Sequence, residues 1–277
     1  IPEILPHSKF FTIQVGEQTF NISGASLSSD APSYFTNFFE ANITNPPILA
    51  IDRSPRIFNI IADHLRGYNI AAANAEEFFQ LYADALYYRL RNLIMLLKER
   101  ETYVKIGDSQ FKISRDLFNG PGDAPNFFHL AFTFYFAHPV KDARLADDEK
   151  PTALLRPPVL KAPQVTNRSA ALFSDLVTLA RNEPLKIHSD THRIALQKEC
   201  RYYRFRGLEQ KLVKHKITVD PTTGLEEITL GLLDVHPDSI NIGADCTLHY
   251  KRPYIDAYAR RLIIYVDKQH ALKYAPS

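Results

Sequence analysis

The feature that most constrains the fold of this chain is an internal duplication. The stretch VGEQTFNIS begins at Val15, and a near copy, IGDSQFKIS, begins at Ile106, 91 residues later. At this offset Gly16 aligns with Gly107. Two copies are too few for a solenoid, in which many stacked units share one continuous core. The duplication therefore predicts two similar globular domains in tandem.

Further matches follow in the same order along the chain. SSDAPSYF, from Ser28, is matched by GPGDAPNFF, from Gly120, and YYRLRNL, from Tyr87, is matched by YYRFRGL, from Tyr202. The offset rises from 91 to 115 residues, so the second copy carries an insertion. A Pro-rich segment near 137–168 is predicted to be that insertion and to form a loop. The predicted domains are 8–100 (the first repeat), 101–216 (the second repeat) and 217–277 (a β-rich C-terminal region).

Local patterns assign a β-hairpin and several helices to each repeat. FFTIQV and QTFNI alternate apolar and polar residues on either side of Gly16, which is typical of a hairpin with one buried face. Ser23 and Ser114 stand where helix N-caps are expected, and Pro32 and Pro125 are predicted at first helical positions. After residue 216 the chain is rich in strand patterns and turn signals. The predicted fold class is α+β.

The composition is that of an ordinary globular protein, and the cysteine content indicates the type of cellular compartment. The chain is 45% hydrophobic and 23% charged. Its net charge of +2 is evidence neither for nor against a polyanionic partner. Cys200 and Cys246 lack CxxC spacing, which argues against a disulfide framework and suits a reducing compartment. No apolar run approaches the roughly 20 residues of a membrane-spanning helix. We expect no membrane insertion and a cytoplasmic protein, with the nucleus also open.

The sequence contains no motif that predicts catalysis. GxSxG, GxxxxGK, GxGxxG and HExxH are all missing. The duplicated positions hold apolar and turn residues rather than acids, bases or nucleophiles. We therefore expect no catalytic residues and no cofactor. Because the chain begins at Ile1 without a Met, we also expect it to be part of a longer protein.

Two other motifs could bind a metal or a nucleic acid, and each has a simpler interpretation. His188 and His192 lie four residues apart, as a zinc pair on a helix would, but no third ligand is evident and Ser189 with Asp190 is typical of a helix cap. The basic run RYYRFRGLEQKLVKHK, from Arg201, resembles a nucleic-acid patch. Its first-repeat counterpart ends in apolar residues, which favours a core stripe with a solvated face. We expect no metal site and no nucleic-acid partner.

Two predicted helices carry more aromatic residues than one buried stripe can hold. In SYFTNFFEANI four aromatic residues fall within six positions, whereas the core-facing stripe of a helix spans about 100°. The candidate partner-binding residues are Tyr34, Phe38, Phe39 and Glu40, with packing against the other repeat as the alternative. NFFHLAFTFYF is aromatic on all sides, which favours a place between the repeats. The candidate interface residues there are Phe127, Phe128, Phe132 and Phe136.

The order of hairpin, helix, short strand and several helices resembles the BTB/POZ fold, and the motifs are closest to its potassium-channel tetramerisation (KCTD-type) branch. The first repeat carries VGEQTFNIS, LAIDRSPRIFNIIADHLRGY and LYADALYYRLRNLIMLL, whereas the second resembles the family only in its hairpin and in ALQKECRYYRFRGLEQKL. Glu17 and Asp108 replace the second glycine of the family, so channel-type tetramer assembly is not carried over. The tail HYKRPYIDAYARRLIIYVD resembles the end of fungal tandem-BTB proteins related to the Whiskey stress-response scaffold. The resemblance implies two tandem BTB/POZ-like domains followed by a small β-rich region.

The same resemblance implies a non-enzymatic protein-interaction scaffold or adaptor in nutrient or stress signalling. In the related fungal scaffold the partner is a membrane-associated phosphatase, so a phosphatase or another signalling enzyme is the expected partner. The alternative is a substrate adaptor of a cullin-3-type ubiquitin ligase, because BTB proteins contact cullins near the aromatic helix that contains Phe38. Whether the two BTB units pair with each other or with other chains stays open.

Overall fold

The computed structural model describes residues 1–137, 160–244 and 246–266, and the side chains of 133–137 lie outside the described part. The chain divides into two units by spatial contact. The first comprises Ile1–Arg115 and Phe132–Asn167, and the second comprises Asp116–Ala131 and Arg168–Ser277. The predicted domains follow the sequence repeat, whereas these units follow proximity, so the hairpin of the second repeat belongs to the first unit.

The first repeat begins with the expected hairpin. Strands β1 (Phe10–Val15) and β2 (Gln18–Ser23) pair antiparallel. Gly16 forms the turn with a φ of 54°, a left-handed conformation that favours glycine. The short strand β3 (Leu49–Ile51) pairs in parallel with β1, which gives the sheet order β2-β1-β3. Alternate β1 side chains are buried, namely Phe11, Ile13 and Val15.

Five helices complete the first repeat. They are α1 (Gly24–Ser28), α2 (Tyr34–Glu40), α3 (Pro55–Leu65), α4 (Ala75–Tyr88) and α5 (Arg91–Arg100). Ser23 caps α1 as predicted, because its Oγ accepts the backbone N–H of Ser26 at 3.2 Å. Asn74 caps α4 in the same way, accepting the N–H of Glu77 at 2.9 Å. Both helix starts therefore follow from local side-chain chemistry.

From its hairpin onward, the second repeat has the same order of elements as the first except for α1. They are β4 (Glu101–Ile106), β5 (Ser109–Ser114), α6 (Phe127–Ala137), β6 (Gln164–Val165), α7 (Ala170–Ala180), α8 (Asp190–Tyr203) and α9 (Arg206–Leu212). Strand β4 pairs antiparallel with β5 and parallel with β6, so the sheet order β5-β4-β6 matches that of the first repeat. Gly107 makes the hairpin turn with the same φ, 54°, as Gly16. The duplicated sequence therefore folds into duplicated local structure.

Two local predictions are wrong. Pro32 and Pro125 precede their helices instead of beginning them, because the capping side chains are those of Ser33 and Asn126. Each accepts a backbone N–H from the first turn of its helix. Ser114 ends β5 and is followed by a turn rather than by a helix. Residues 115–118, all within the described part of the chain, therefore form a turn where the first repeat has α1.

The duplicated aspartates of the DAP motif hold the last helix of each repeat. Asp30 accepts the backbone N–H of Asn92 at 2.8 Å and that of Leu93 at 3.0 Å, at the start of α5. Asp123 accepts the N–H of Leu208 at 3.0 Å, at the start of α9. Both aspartates are buried. Because a helix start has free N–H groups and a partial positive charge, a carboxylate there anchors the helix.

The C-terminal region forms a five-stranded sheet. Its strands are β7 (His215–Val219), β8 (Glu226–Gly231), β9 (Ile240–Ile242), β10 (Leu248–Tyr250) and β11 (Arg260–Tyr265), in the order β7-β8-β11-β10-β9. A separate apolar cluster supports it, made of Val213, Ile228, Leu230, Tyr250 and Leu262. The sheet begins two residues before the predicted boundary at 217. Tyr254 lies so close to Gly122 that a Cβ on this glycine would come within 2.4 Å of the ring.

Candidate functional site

Helices α4 and α8 correspond position by position. Each has 14 residues, each starts after a side-chain cap, Asn74 or Ser189, and each is followed by an arginine with positive φ, 59° and 61°. Because the two helices have the same length and the same kinds of ends, their tenth residues occupy equivalent positions. This residue is Asp84 in α4 and Glu199 in α8.

In the second repeat, this position belongs to a closed cluster. Arg168 Nη1 lies 3.5 Å from Glu199 Oε1. The guanidinium carbon of Arg168 lies 3.8 Å from the ring centre of Tyr202, a cation–π contact. Phe127 lies on the neighbouring helix α6, and its ring centre is 5.5 Å from that of Tyr202. One oxygen of Glu199 is therefore paired with Arg168, whereas Glu199 Oε2 and Arg168 Nε are buried without a hydrogen-bond partner in the described part of the chain.

In the first repeat, the equivalent cluster stays open. Arg53 lies 4.8 Å from the ring centre of Tyr87, and the Tyr34 ring is 6.1 Å from Tyr87. The carboxylate of Asp84, one methylene group shorter than that of Glu199, has no hydrogen bond or ion pair within the described part of the chain. The duplicated acid is thus paired in one repeat and unpaired in the other.

The unpaired carboxylate is also buried. Asp84 is only 7% exposed. This burial raises the pKa of Asp84 from 3.8 to about 6, and the nearby Arg53 charge partly opposes the rise. At neutral pH the folded protein therefore holds an ionised, largely desolvated carboxylate without a partner, which is a costly arrangement.

Asp84 lines a groove of about 660 Å³ within the first unit, a volume in the range of about 300–1,000 Å³ that is usual for ligand pockets. Its lining residues come from the start of α3 and the residues just before it, from α4, from β4 and β5, and from residues 160–164. Glu76 and Asp84 contribute carboxylates, and Arg53, Lys105 and Lys161 contribute positively charged side chains. The groove therefore has apolar residues and charges of both signs in its lining.

The predicted partner-binding residues of α2 divide between surface and core. Glu40 is exposed, and Tyr34 and Phe38 are half-buried. Phe39 is fully buried, with its ring 4.8 Å from that of Phe11. The proposal that Phe39 contacts a partner directly is corrected by this burial, because α2 turns Phe39 toward the sheet. Tyr34 lies beside Tyr87 and so belongs to the open cluster.

The predicted interface residues of α6 make contacts inside their own units. Phe128 is buried, with ring centres 5.3 Å from Tyr203 and 5.6 Å from Phe173. Phe127 packs on Tyr202, as described above. Phe132 is buried and accepts a cation–π contact from Arg115 at 5.6 Å. The side chain of Phe136 lies outside the described residues. A role of these residues between the repeats stays a prediction.

The two weaker motifs of the sequence have local partners. His192 Nε2 lies 3.0 Å from Asp175 Oδ2, and its ring stacks on that of His188. Among the residues that the structure describes, no three His, Cys, Asp or Glu side chains are placed to hold a metal ion. In the basic run, Arg201 pairs with Glu209 at 2.6 Å. No helix in the described ranges is both long and apolar enough to cross a bilayer.

The residues that sequence reasoning missed are Arg53 and Asp84. The signal that could have found them is the offset of 115, which aligns Arg53 with Arg168 and Asp84 with Glu199 as it aligns Tyr87 with Tyr202. Each arginine directly precedes the N-cap residue of the next helix, Ser54 for α3 and Ser169 for α7. A charged pair kept in both repeats beside duplicated tyrosines was therefore visible in the sequence, although its open state was not.

A three-stranded sheet from a hairpin and a parallel strand, followed by a helical hairpin, defines residues 10–100 as a mixed α/β domain. Residues 11–97 match the family model described as the BTB/POZ domain. The chain is 42% identical to the uncharacterized protein YDR132C of Saccharomyces cerevisiae, over 88% of this chain and 51% of that protein. It is 37% identical to the BTB/POZ domain-containing protein YLR108C of the same yeast, over 90% of this chain and 50% of that protein. The chain thus spans about half the length of these curated relatives.

Proposed function

We propose that this chain is a non-enzymatic interaction scaffold made of two tandem BTB/POZ-like domains. The observation that carries the proposal is the match of residues 11–97 to the BTB/POZ domain, which is generally a protein-interaction module. The repeated element order, the identical hairpin turns and the duplicated aspartate anchors support the second domain. The partner is a signalling enzyme, a phosphatase by the resemblance described above, in nutrient or stress signalling. The free thiols of Cys200 and Cys246 fit a cytoplasmic or nuclear protein.

The partner surface is the outer side of α2. Phe38 is half-buried and Glu40 is exposed, so an apolar ring and a carboxylate lie side by side at the surface. Phe38 packs edge-on against Phe39, with ring centres 5.2 Å apart, but unlike Phe39 it is only partly buried. An aromatic residue next to a charge is a common centre of a protein interface. This surface also supports the second candidate, a cullin-3-type adaptor, for which α2 is the expected contact.

Copurification tests the proposal. The tagged chain is expressed in Saccharomyces cerevisiae and the bound proteins are identified by mass spectrometry, in parallel with a Phe38→Ala, Glu40→Lys variant. Glu17→Lys, the same charge change at an exposed turn residue, is the matched control. A phosphatase or kinase retained by wild type and control but lost from the double variant supports the scaffold. A cullin that is retained by wild type and control but lost from the double variant would support the adaptor function instead of the scaffold. If no specific partner copurifies, both proposals are rejected.

A further inference from the structure

The second repeat shows what completes the cluster around the tenth residue of the long helix. There, the Arg168 guanidinium pairs with Glu199 at 3.5 Å. In the first repeat, Arg53 rests on Tyr87 and lies near Asp84 in the same groove, but within the described residues no cation forms an ion pair or a hydrogen bond with the Asp84 carboxylate. Asp84 faces the groove that runs along α4. The place that a guanidinium occupies in the second repeat is therefore accessible from the groove in the first.

Burial makes this site selective for positive charge. A carboxylate that is 7% exposed has lost most of its hydration, and the low local dielectric strengthens its attraction to a nearby cation. The cost of removing Asp84 from water has already been met in folding. An incoming cation therefore gains the attraction and meets mainly its own desolvation cost.

The rest of the groove restricts what can carry the cation. Ile57, Phe79 and Ala83 provide an apolar lining that would cover the aliphatic stem of a long side chain. Arg53 and Lys105 also line the groove, and their positive charges disfavour a ligand with several positive charges. The groove accordingly fits one basic side chain set among apolar or acidic neighbours.

We propose that the α4 groove binds a peptide segment of a partner protein through a single Lys or Arg side chain that pairs with Asp84. This inference rests on the proposed interaction function and gives the recognition chemistry of one surface. It concerns a different face from the α2 surface, because Phe38 and Glu40 do not line the groove.

The test is a selection of random seven-residue peptides displayed on phage against the immobilised 277-residue chain. Three variants are run beside the wild type. Asp84→Asn removes the charge, Asp84→Glu adds the methylene group that lets the acid reach Arg53 as Glu199 reaches Arg168, and Glu199→Gln makes the matching change in the second repeat. Circular dichroism verifies that each variant is folded.

Wild type and Glu199→Gln should enrich peptides with one basic residue, and both Asp84 variants should lose that enrichment. A synthetic peptide from the wild-type selection, measured by fluorescence anisotropy, should bind Asp84→Asn at least about tenfold more weakly, as expected for loss of one partner of a buried charge pair. Selected peptides without a basic residue, no enrichment on wild type, or equal binding to Asp84→Asn would each overturn the inference. The copurification experiment separates this failure from that of the proposed function, because a specific partner retained by Asp84→Asn leaves the scaffold intact.

Discussion

The Asp30 carboxylate accepts the backbone N–H of Asn92 at 2.8 Å, which joins two residues 62 positions apart. The contact links the segment before α2 to the start of α5, and the second carboxylate oxygen accepts the N–H of Leu93. His64 adds a contact to the same carboxylate at 3.1 Å. One buried side chain thus connects three separate segments of the first repeat. Its counterpart Asp123 explains why the DAP motif occurs twice.

Replacing Asp30 by Ala should lower the free energy of unfolding by about 3 kcal/mol, because two buried N–H groups lose their acceptor and a helix start loses its negative charge. Urea denaturation at pH 7 measures the change. Asp63→Ala is the control, since this side chain is 41% exposed and, among the residues that the structure describes, pairs with Arg66 alone. It should alter stability by less than about 1 kcal/mol. Equal losses in the two variants would contradict the anchoring role.

Gly207 should not tolerate substitution by a residue with a side chain. A Cβ at this residue would lie 2.2 Å from the Pro121 carbonyl oxygen and 2.9 Å from Asp123 Oδ2. Gly207→Ala should therefore cost about 2 kcal/mol or more through overpacking against a backbone atom. At Gly120 the nearest atom would be 3.3 Å away, so Gly120→Ala should cost clearly less. Thermal unfolding of the two variants makes the comparison, and similar melting temperatures would count against this close approach.

Phe38 and Phe39 should differ sharply although they are neighbours on α2. Phe39→Ala empties a fully buried site next to Phe11 and should cost about 3–5 kcal/mol. Phe38→Ala removes a half-exposed ring and should cost about 1 kcal/mol or less. Chemical denaturation of both variants decides the matter. A larger loss of stability for Phe38→Ala than for Phe39→Ala would show that the core-facing side of α2 is assigned wrongly. It would also remove Phe38 from the proposed partner surface.

Asp84→Asn should stabilise the protein at neutral pH. Because the folded state raises the pKa of Asp84 from 3.8 to about 6, the folded protein binds this proton more tightly than the unfolded chain does. Below pH 3.8 the wild-type carboxyl group does not lower the free energy of unfolding. The loss of stability grows as the pH rises toward 6 and is complete above that pH. The rise in pKa corresponds to on the order of 3 kcal/mol. The stabilisation should therefore be large at pH 7.5 and small near pH 4, as measured by urea denaturation.

The equivalent change in the second repeat should have the opposite sign. Glu199→Gln removes the partner of Arg168, whose side chain is 29% exposed, and leaves that guanidinium without its carboxylate. A loss of about 1 kcal/mol is expected at pH 7.5 because the pair is partly solvated. The same denaturation series provides this measurement. Stabilisation by Glu199→Gln, or destabilisation by Asp84→Asn, would show that the two clusters are not in different states.

Much of the local structure could be predicted from the sequence because it depends on neighbouring residues. The hairpin turns at Gly16 and Gly107 and the cap at Asn74 need only a residue with the right backbone freedom or side-chain oxygen. The helix starts after Pro32 and Pro125 were misplaced, because Ser33 and Asn126 compete as caps and the pattern of apolar residues does not rank them. Phe39 was misplaced for a different reason. Which aromatic residues of a short helix face the core depends on where the sheet lies.

The order of the sequence motifs was enough to show that the chain contains a repeated unit, since turns, caps and tyrosines recur in the same order along the chain. Tertiary packing established that Asp30 and Asp123 anchor the last helices, because the contacts join residues 62 and 85 positions apart. It also decided that Asp84 is buried and unpaired while Glu199 is paired. One methylene group and the position of an arginine separate these outcomes, and such distances exist only after the helices have packed.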